Sequence, residues 1–104
     1  MEVKINAEVY AYYENKPIVY RIWVDNHLHN EREYWVDCVS HFIEEEIYVE
    51  LEVGVHELTI EKIKPVGSGK LWFENITVQI NDIIYNIMSK LDPQDKQTVK
   101  FKVY

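Results

Sequence analysis

The sequence is poor in the residues that cross-link or bend small proteins. Its 104 residues include one cysteine, three prolines and three glycines. A single cysteine, Cys38, excludes an intramolecular disulfide framework, so a reducing compartment is the simpler expectation. No apolar run is long enough to cross a bilayer, and the first residues lack the basic and apolar segments of a signal peptide. The sequence therefore predicts a cytoplasmic protein with no membrane partner.

Basic residues are also scarce. There are 11 Lys and Arg against 18 Asp and Glu, which gives a formal charge of -7. Direct nucleic-acid binding is not expected, because attraction to the phosphate backbone depends on a basic surface. Basic, neutral or metallic partners fit this charge better. The chain length is sufficient for one core, so we expect a single domain over residues 1–104.

Alternation of apolar and polar residues is abundant. Between Ile43 and Val53 one set of alternate positions is mostly apolar, and the other set is mostly glutamate. A period of two is typical of a half-buried β-strand. Gly54 permits a turn, and Leu58 and Ile60 then resume the apolar set. This stretch therefore predicts a β-hairpin.

Similar alternation recurs along most of the chain. About eight strands with few helix signals predict an all-β fold, an antiparallel β-sandwich of the jelly-roll or immunoglobulin-like kind. Residues 25–32 read as a polar loop, and a short helix competes with a strand over residues 83–89. The predicted strands are 3–11, 18–24, 34–39, 43–53, a return strand through Leu58 and Ile60, 71–80, 83–88 and 98–104.

One short segment has the residue types of a metal site. His27 and His29 are one residue apart and can project to the same side of an extended segment, and Asp25 precedes them. Two imidazoles and a carboxylate suit a transition metal. The alternative is an exposed polar loop that happens to hold two histidines. The metal site formed by Asp25, His27 and His29 is a hypothesis on this basis.

The most distinctive surface feature is a ladder of glutamates, formed by Glu44, Glu46, Glu50 and Glu52. Like charges two residues apart on one strand face repel unless they are solvated, paired with cations or bridged by a metal such as calcium. Three interpretations stay open: a calcium-assisted glycan site, an acidic surface that binds a basic partner, and a solvated face that discourages aggregation.

Aromatic residues make up 13% of the chain, and some fall on polar strand faces. Tyr10, Tyr12 and Tyr48 alternate with polar residues, so their rings are candidates for stacking on sugars or anchoring a protein partner. Glu46 and Glu50 lie beside Tyr48 in the sequence and complete the predicted ligand-binding set. The competing interpretation is that these rings cover the core and expose only their hydroxyl groups.

No catalytic motif stands out. Residues 67–70, Gly-Ser-Gly-Lys, end like a phosphate-binding loop, but the required earlier glycine and the following hydroxyl residue are missing, so we interpret them as a hairpin turn. Cys38 and His41 lack an evident orienting partner. The sequence predicts a protein that binds rather than an enzyme.

The stretches VELEVGVHELTIEKI and ITVQINDI resemble the strand-glycine-strand pattern of small β-sandwich carbohydrate-binding modules, and more loosely small proteins of tailed bacteriophages. The resemblance covers about residues 43–84. It implies a non-catalytic module that binds a glycan, calcium as a candidate cofactor, and a location in the host cytoplasm or the virion. The aspartate-rich calcium loops of such modules have no evident counterpart here, and no site residue transfers.

Two other functions fit the same residues. The acidic face is compatible with an inhibitor or adaptor that binds a basic protein surface, such as a phage counter-defence protein or nucleic-acid mimic. An exposed sheet edge is compatible with a structural subunit that forms homo-oligomers.

Overall fold

The computed structural model describes residues 1–13, 17–34, 42–64, 69–90 and 95–104, with the side chains of 88–90 excepted. Within these ranges the chain forms strands and turns but no helix. The strands are β1 (Glu2–Tyr12), β2 (Val19–Val24), β3 (His27–Glu33), β4 (Ile43–Glu50), β5 (Gly54–Lys64), β6 (Lys70–Ile80), β7 (Ile83–Lys90) and β8 (Lys96–Val103).

The strands form two antiparallel sheets. The first sheet has the order β4-β1-β6-β7, and the second has the order β3-β2-β5-β8. Apolar side chains from both sheets form one buried core. The predicted all-β antiparallel sandwich of about eight strands is confirmed, and residues 83–90 form a strand rather than a helix.

Alternation decides which side of each strand faces the core. In β1 the odd-numbered residues Val3, Ile5 and Val9 are completely buried, while the even-numbered residues between them keep some exposure. Each buried aliphatic side chain contributes roughly 1.5–3 kcal/mol relative to an exposed one. The sequence pattern therefore fixes the inner and outer faces of the sheet before any strand pairing is known.

The chain repeats one path twice. Strands β1 and β4 pair in the first sheet, while the hairpin β2-β3 between them lies in the second; strands β5 and β8 pair in the second sheet, while the hairpin β6-β7 lies in the first. When β1 to β4 are matched in order with β5 to β8, the strand order of each sheet becomes the strand order of the other. The sandwich thus has a pseudo-two-fold axis parallel to its strands, which relates β4 to β8.

The two hairpins use the same turn chemistry. Asp25-Asn26 joins β2 to β3 and Asn81-Asp82 joins β6 to β7, and all four residues have positive φ, between 49° and 67°. Two-residue hairpin loops favour this conformation because its twist matches that of the strands, and Asn and Asp tolerate it better than most residues.

Three predictions about connections are wrong. The β4–β5 hairpin does not exist: β4 pairs with β1, whereas β5 pairs with β2 and β8 in the other sheet. Strands β5 and β6 also lie in different sheets, so they do not form the hairpin predicted around residues 67–70, of which 67 and 68 lie outside the described residues. Residues 25–32 are a tight turn followed by β3, not a loop. Alternation reports which way a side chain faces, but not which strand is the neighbour. The predicted strand 34–39 lies mainly outside the described residues.

Candidate functional site

The five residues predicted to bind a ligand all lie on the outer face of the first sheet. Tyr10 and Tyr12 are on the outward side of β1, and Glu46, Tyr48 and Glu50 are on the outward side of the neighbouring strand β4. The register places Lys4 opposite Tyr48, with Asn6 opposite Glu46. Alternation therefore predicted the outward direction of these side chains, and the pairing of β1 with β4 places all five on one face.

An aromatic row lies across β1, β6 and the chain just before β4, at one end of this face. The Tyr10 ring stacks on Trp72 of β6, with centroids 5.7 Å apart and planes 10° from parallel. On its other side Phe42 lies 5.3 Å away, tilted by 40°. One step further along β1, Tyr12 is 46% exposed. The row formed by Phe42, Tyr10 and Trp72 is a preformed apolar platform, and Tyr12 lies at its end.

Carboxylates beside the aromatic row are held by its polar atoms. The Tyr10 hydroxyl donates to Glu8 Oε1 at 3.1 Å, and the Trp72 indole N–H donates to Glu74 Oε2 at 2.8 Å. Asn75 donates a further hydrogen bond to Glu8 at 2.8 Å. Desolvation and the Glu8 carboxylate raise the pKa of Tyr10 to about 12, so its hydroxyl stays protonated at neutral pH. The two carboxylates are therefore fixed in position next to the rings.

The opposite end of the face is built around Tyr48, whose ring is 59% exposed. Its hydroxyl donates to Glu46 Oε1 at 2.6 Å, and the Lys4 ammonium contacts the same oxygen at 2.9 Å. Lys4 Nζ also lies 5.9 Å from the centre of the Tyr48 ring. The hydrogen bond from Tyr48 has the largest effect on Glu46, and together with the bond from Lys4 it lowers the pKa of Glu46. The Glu46 carboxylate in turn raises the pKa of Lys4. Glu50 pairs with the N-terminal amine at 2.9 Å.

A shallow open depression adjoins Tyr48. Its lining combines carboxylates, amides, an ammonium group and one aromatic ring. The lining residues are Glu2, Lys4, Tyr48, Gln79, Asn81 and Asp82. Because Lys4 and Tyr12 are eight residues apart on one strand, the two ends of the face are separated by ~27 Å. The face thus offers an aromatic contact at each end and polar groups between them.

The three predicted metal residues, Asp25, His27 and His29, do not form a group of metal ligands. Among the residues that the structure describes, no three His, Cys, Asp or Glu side chains are arranged to hold a metal ion. His27 and His29 are exposed on β3, and Asp25 is engaged elsewhere: its Oδ1 accepts the Glu57 backbone N–H at 2.8 Å. The metal site remains a prediction without structural support.

Asp25 is bound instead by His56, which the sequence indicated only as a residue next to a turn. His56 Nδ1 lies 2.5 Å from Asp25 Oδ2, and Nε2 lies 2.6 Å from the Glu52 carbonyl oxygen. A carboxylate and a carbonyl both accept hydrogen bonds, so both ring nitrogens must donate, which requires the imidazolium form. Burial lowers the pKa of His56, but the bonds to Asp25 and Glu52 outweigh it, and the pKa is raised.

The burial of one glutamate, Glu45, was not predicted from the sequence, although a buried carboxylate is a candidate functional group. Glu45 occupies an apolar position of β4 and is 3% exposed. It accepts hydrogen bonds from the Tyr20 hydroxyl at 2.7 Å, from the Asn30 amide at 2.9 Å and from Arg32 Nε at 2.7 Å. These partners belong to β2 and β3, so the cluster joins the two sheets at one edge of the sandwich. The signal in the sequence is that Glu45 occupies the same alternating set of positions as the apolar Ile43 and Ile47.

The outer face of the second sheet has a smaller depression. It is lined by Trp23, Asn26, Thr59, Glu61 and Lys96. The Trp23 indole nitrogen is buried and has no hydrogen-bond acceptor among the described residues. Since Trp23 is only partly exposed and no other aromatic residue lines the depression, this face lacks the stacking surface of the first sheet.

No family model, curated protein or solved structure matches the chain. The resemblance to carbohydrate-binding modules and phage proteins therefore stays a prediction. Within the described ranges, no helix is long and apolar enough to cross a membrane.

Proposed function

We propose that this protein is a non-catalytic module that binds glycans on the outer face of its first sheet. The observation that supports this proposal is the coincidence, on one face, of exposed rings at Tyr12 and Tyr48 with carboxylates held in place by neighbouring donors. Sugar rings present apolar C–H faces that stack on aromatic rings, and their hydroxyl groups donate to carboxylates.

The carboxylates on this face retain capacity for a ligand. Each ionised carboxylate offers about four lone-pair positions. Glu74 accepts one side-chain hydrogen bond from Trp72, and Glu46 is engaged by Tyr48 and Lys4 through one oxygen. Glu46 is exposed and Glu74 is partly exposed, so both carboxylates are accessible beside the rings. The two aromatic ends are ~27 Å apart along β1, so a linear glycan of that length lying along the strand would contact both.

The proposal is tested by glycan-array binding followed by titration calorimetry on the best glycan. We expect Tyr48→Ala and Tyr12→Ala each to weaken binding by about tenfold or more, which corresponds to about 1.4 kcal/mol. Tyr104→Ala is the matched control, because Tyr104 is 64% exposed but follows β8 of the other sheet. Absence of any bound glycan, or equal binding by all three variants, would reject the proposal. Repeating the titration with calcium and with a chelator tests the cofactor.

A second candidate is an acidic protein that binds a basic partner. The observation in its favour is a row of three carboxylates across the first sheet, in which Glu8 lies opposite Glu44 on one side and Glu74 on the other. Like charges placed opposite each other destabilise a sheet, so their presence is consistent with a cationic partner.

This candidate predicts capture of a basic protein from host lysate at low salt and its release at high salt. Replacing Glu46 and Glu50 together by Lys should weaken that complex. A captured partner that survives both high salt and the double replacement would contradict the acidic-surface proposal.

A further inference from the structure

Two edge strands of the sandwich carry opposite charges. Among the described residues β4 pairs only with β1, and β8 pairs only with β5, so each strand is the last of its sheet and leaves one backbone edge unpaired. The outward side chains of β4 are Glu44, Glu46, Tyr48 and Glu50. Those of β8 are Lys96, Thr98, Lys100 and Lys102.

The two edges match in length, direction and side-chain spacing. Both strands have eight residues. Because the pseudo-two-fold axis relates β4 to β8, antiparallel pairing of one with the other keeps both outward faces on the same side. In one register of this pairing every outward Glu of β4 meets a Lys of β8. The opposed pairs are Glu44 with Lys102, Glu46 with Lys100, Tyr48 with Thr98 and Glu50 with Lys96.

Two of the four inward pairs are apolar in this register. Ile43 would lie opposite Val103, and Ile47 opposite Val99, so apolar residues of one core continue into the next. Aliphatic pairs directly opposite each other stabilise a sheet, as do pairs of opposite charge. The other two inward pairs are Glu45 with Phe101 and Val49 with Gln97, so the outward Glu–Lys pairs, more than the inward residues, select this register.

Pairing of like edges is disfavoured by the same charges. Two β4 edges would place glutamates against glutamates, and two β8 edges would place lysines against lysines, which is destabilising. Charged edge strands commonly prevent aggregation in this way. Here the negative side chains are on β4 and the positive side chains are on β8. Of the three possible pairings between these two edges, only the pairing of β4 with β8 is therefore attractive.

We propose that copies of this protein associate head to tail, with the β4 edge of one copy adding as a strand to the β8 edge of the next. The contact is heterologous, so it can repeat beyond a dimer and leads to an open chain or a ring. Main-chain hydrogen bonds supply the attachment, and the Glu–Lys pairs select the register.

The charged side chains are accessible for this contact. Lys96, Lys100 and Lys102 are exposed and form no ion pair with other described residues; Lys102 lies over the Tyr104 ring, 5.1 Å from its centre. Glu46 and Glu50 already pair with Lys4 and the N-terminal amine, but these pairs are at the surface, where exposed ion pairs contribute little. A second cation can therefore join them at small cost.

Sedimentation velocity over a range of protein concentrations tests the proposal. We expect the wild-type mass to grow past the dimer at low salt and to return to the monomer at high salt, where exposed charges are screened. Lys96→Glu/Lys100→Glu should be monomeric, and so should Glu46→Lys/Glu50→Lys, because each reverses one edge only. Lys64→Glu/Lys70→Glu changes the net charge as the β8 variant does but lies off both edges, and it should assemble as the wild type does.

Mixing the two edge variants is the decisive step. The Lys96→Glu/Lys100→Glu variant has two acidic edges, and the Glu46→Lys/Glu50→Lys variant has two basic edges. A one-to-one mixture should therefore assemble, although neither variant does so alone. Circular dichroism of each variant verifies the fold beforehand. A wild type that stays monomeric at low salt, edge variants that still assemble, or a mixture that stays monomeric would each overturn the proposal.

Discussion

His56 connects two parts of the second sheet through its charge. Its ring joins Asp25 of the β2–β3 turn to the Glu52 carbonyl of the segment before β5. The pKa of His56 lies above its ordinary value of 6.5, and that of Asp25 lies below 3.8 because the bonds from His56 and the Glu57 N–H outweigh the effect of burial. Both directions mean that the folded state favours the charged pair.

The first prediction concerns the pH dependence of this pair. The raised pKa of His56 contributes stability that is complete below pH 6.5 and disappears as pH rises through the folded-state value. The lowered pKa of Asp25 contributes stability above pH 3.8 that disappears as pH falls through its folded-state value. We therefore expect His56→Gln to lower the unfolding free energy most between these limits and least at alkaline pH. Urea unfolding at several pH values measures this.

His29→Gln serves as the control for that series, because His29 is exposed on β3, whereas the charge of His27 acts on Asp25. Its effect on the free energy of unfolding should be small. A His56→Gln effect that is equally large at alkaline pH would contradict the imidazolium assignment.

The second prediction concerns Glu45, the acceptor shared by Tyr20, Asn30 and Arg32. Glu45→Ala removes this acceptor and leaves a buried hydroxyl and a guanidinium without their carboxylate. We expect a loss of about 2–4 kcal/mol in the free energy of unfolding. Glu44→Ala, one residue away on the exposed side, should change it by at most about 0.5 kcal/mol. Equal effects at both positions would show that the buried cluster contributes nothing specific.

At the scale of elements, the two tight hairpins depend on residues with positive φ. Asp82 has φ of 67° and joins β6 to β7. A β-branched side chain is strained in this conformation, whereas glycine adopts it freely.

The third prediction follows from that difference. Asp82→Val should destabilise the protein by about 1–2 kcal/mol, whereas Asp82→Gly should leave stability nearly unchanged. Thermal unfolding of the two variants compares them directly. If valine and glycine give the same midpoint, the turn conformation does not limit stability.

At the scale of the whole molecule, the two halves of the chain depend on each other. The centre of the first sheet is the pairing of β1 with β6, and the centre of the second is the pairing of β2 with β5. Both pairings join the first half to the second. Neither half can form a complete sheet or bury its apolar faces alone.

The fourth prediction is that fragments 1–53 and 54–104 each lack fixed tertiary structure but form it when mixed. Near-ultraviolet circular dichroism should show the aromatic signal only in the mixture. Cooperative unfolding of either fragment alone would contradict the shared-core arrangement.

The composition of the candidate face was predictable in part. Tyr10, Tyr12 and Tyr48 were assigned to the outward side from alternation, and they share one face because β1 and β4 are neighbours. The contributions of Phe42 and Trp72 were not predictable, since they depend on the register of β6 and on the chain just before β4. The metal hypothesis stays a prediction, and the contact of Asp25 with His56 was not predictable because proximity in the sequence does not fix the partner of Asp25.

The sequence by itself determined the strand type, the turn residues and the inward or outward direction of most side chains. These properties are local: they follow from a period of two and from residues that tolerate positive φ. Only the tertiary structure decided that β4 and β5 separate into different sheets, that Glu45 is buried among donors, and that His56 meets Asp25. Those outcomes depend on long-range strand pairing, where many registers satisfy the same alternation and the shared core selects one.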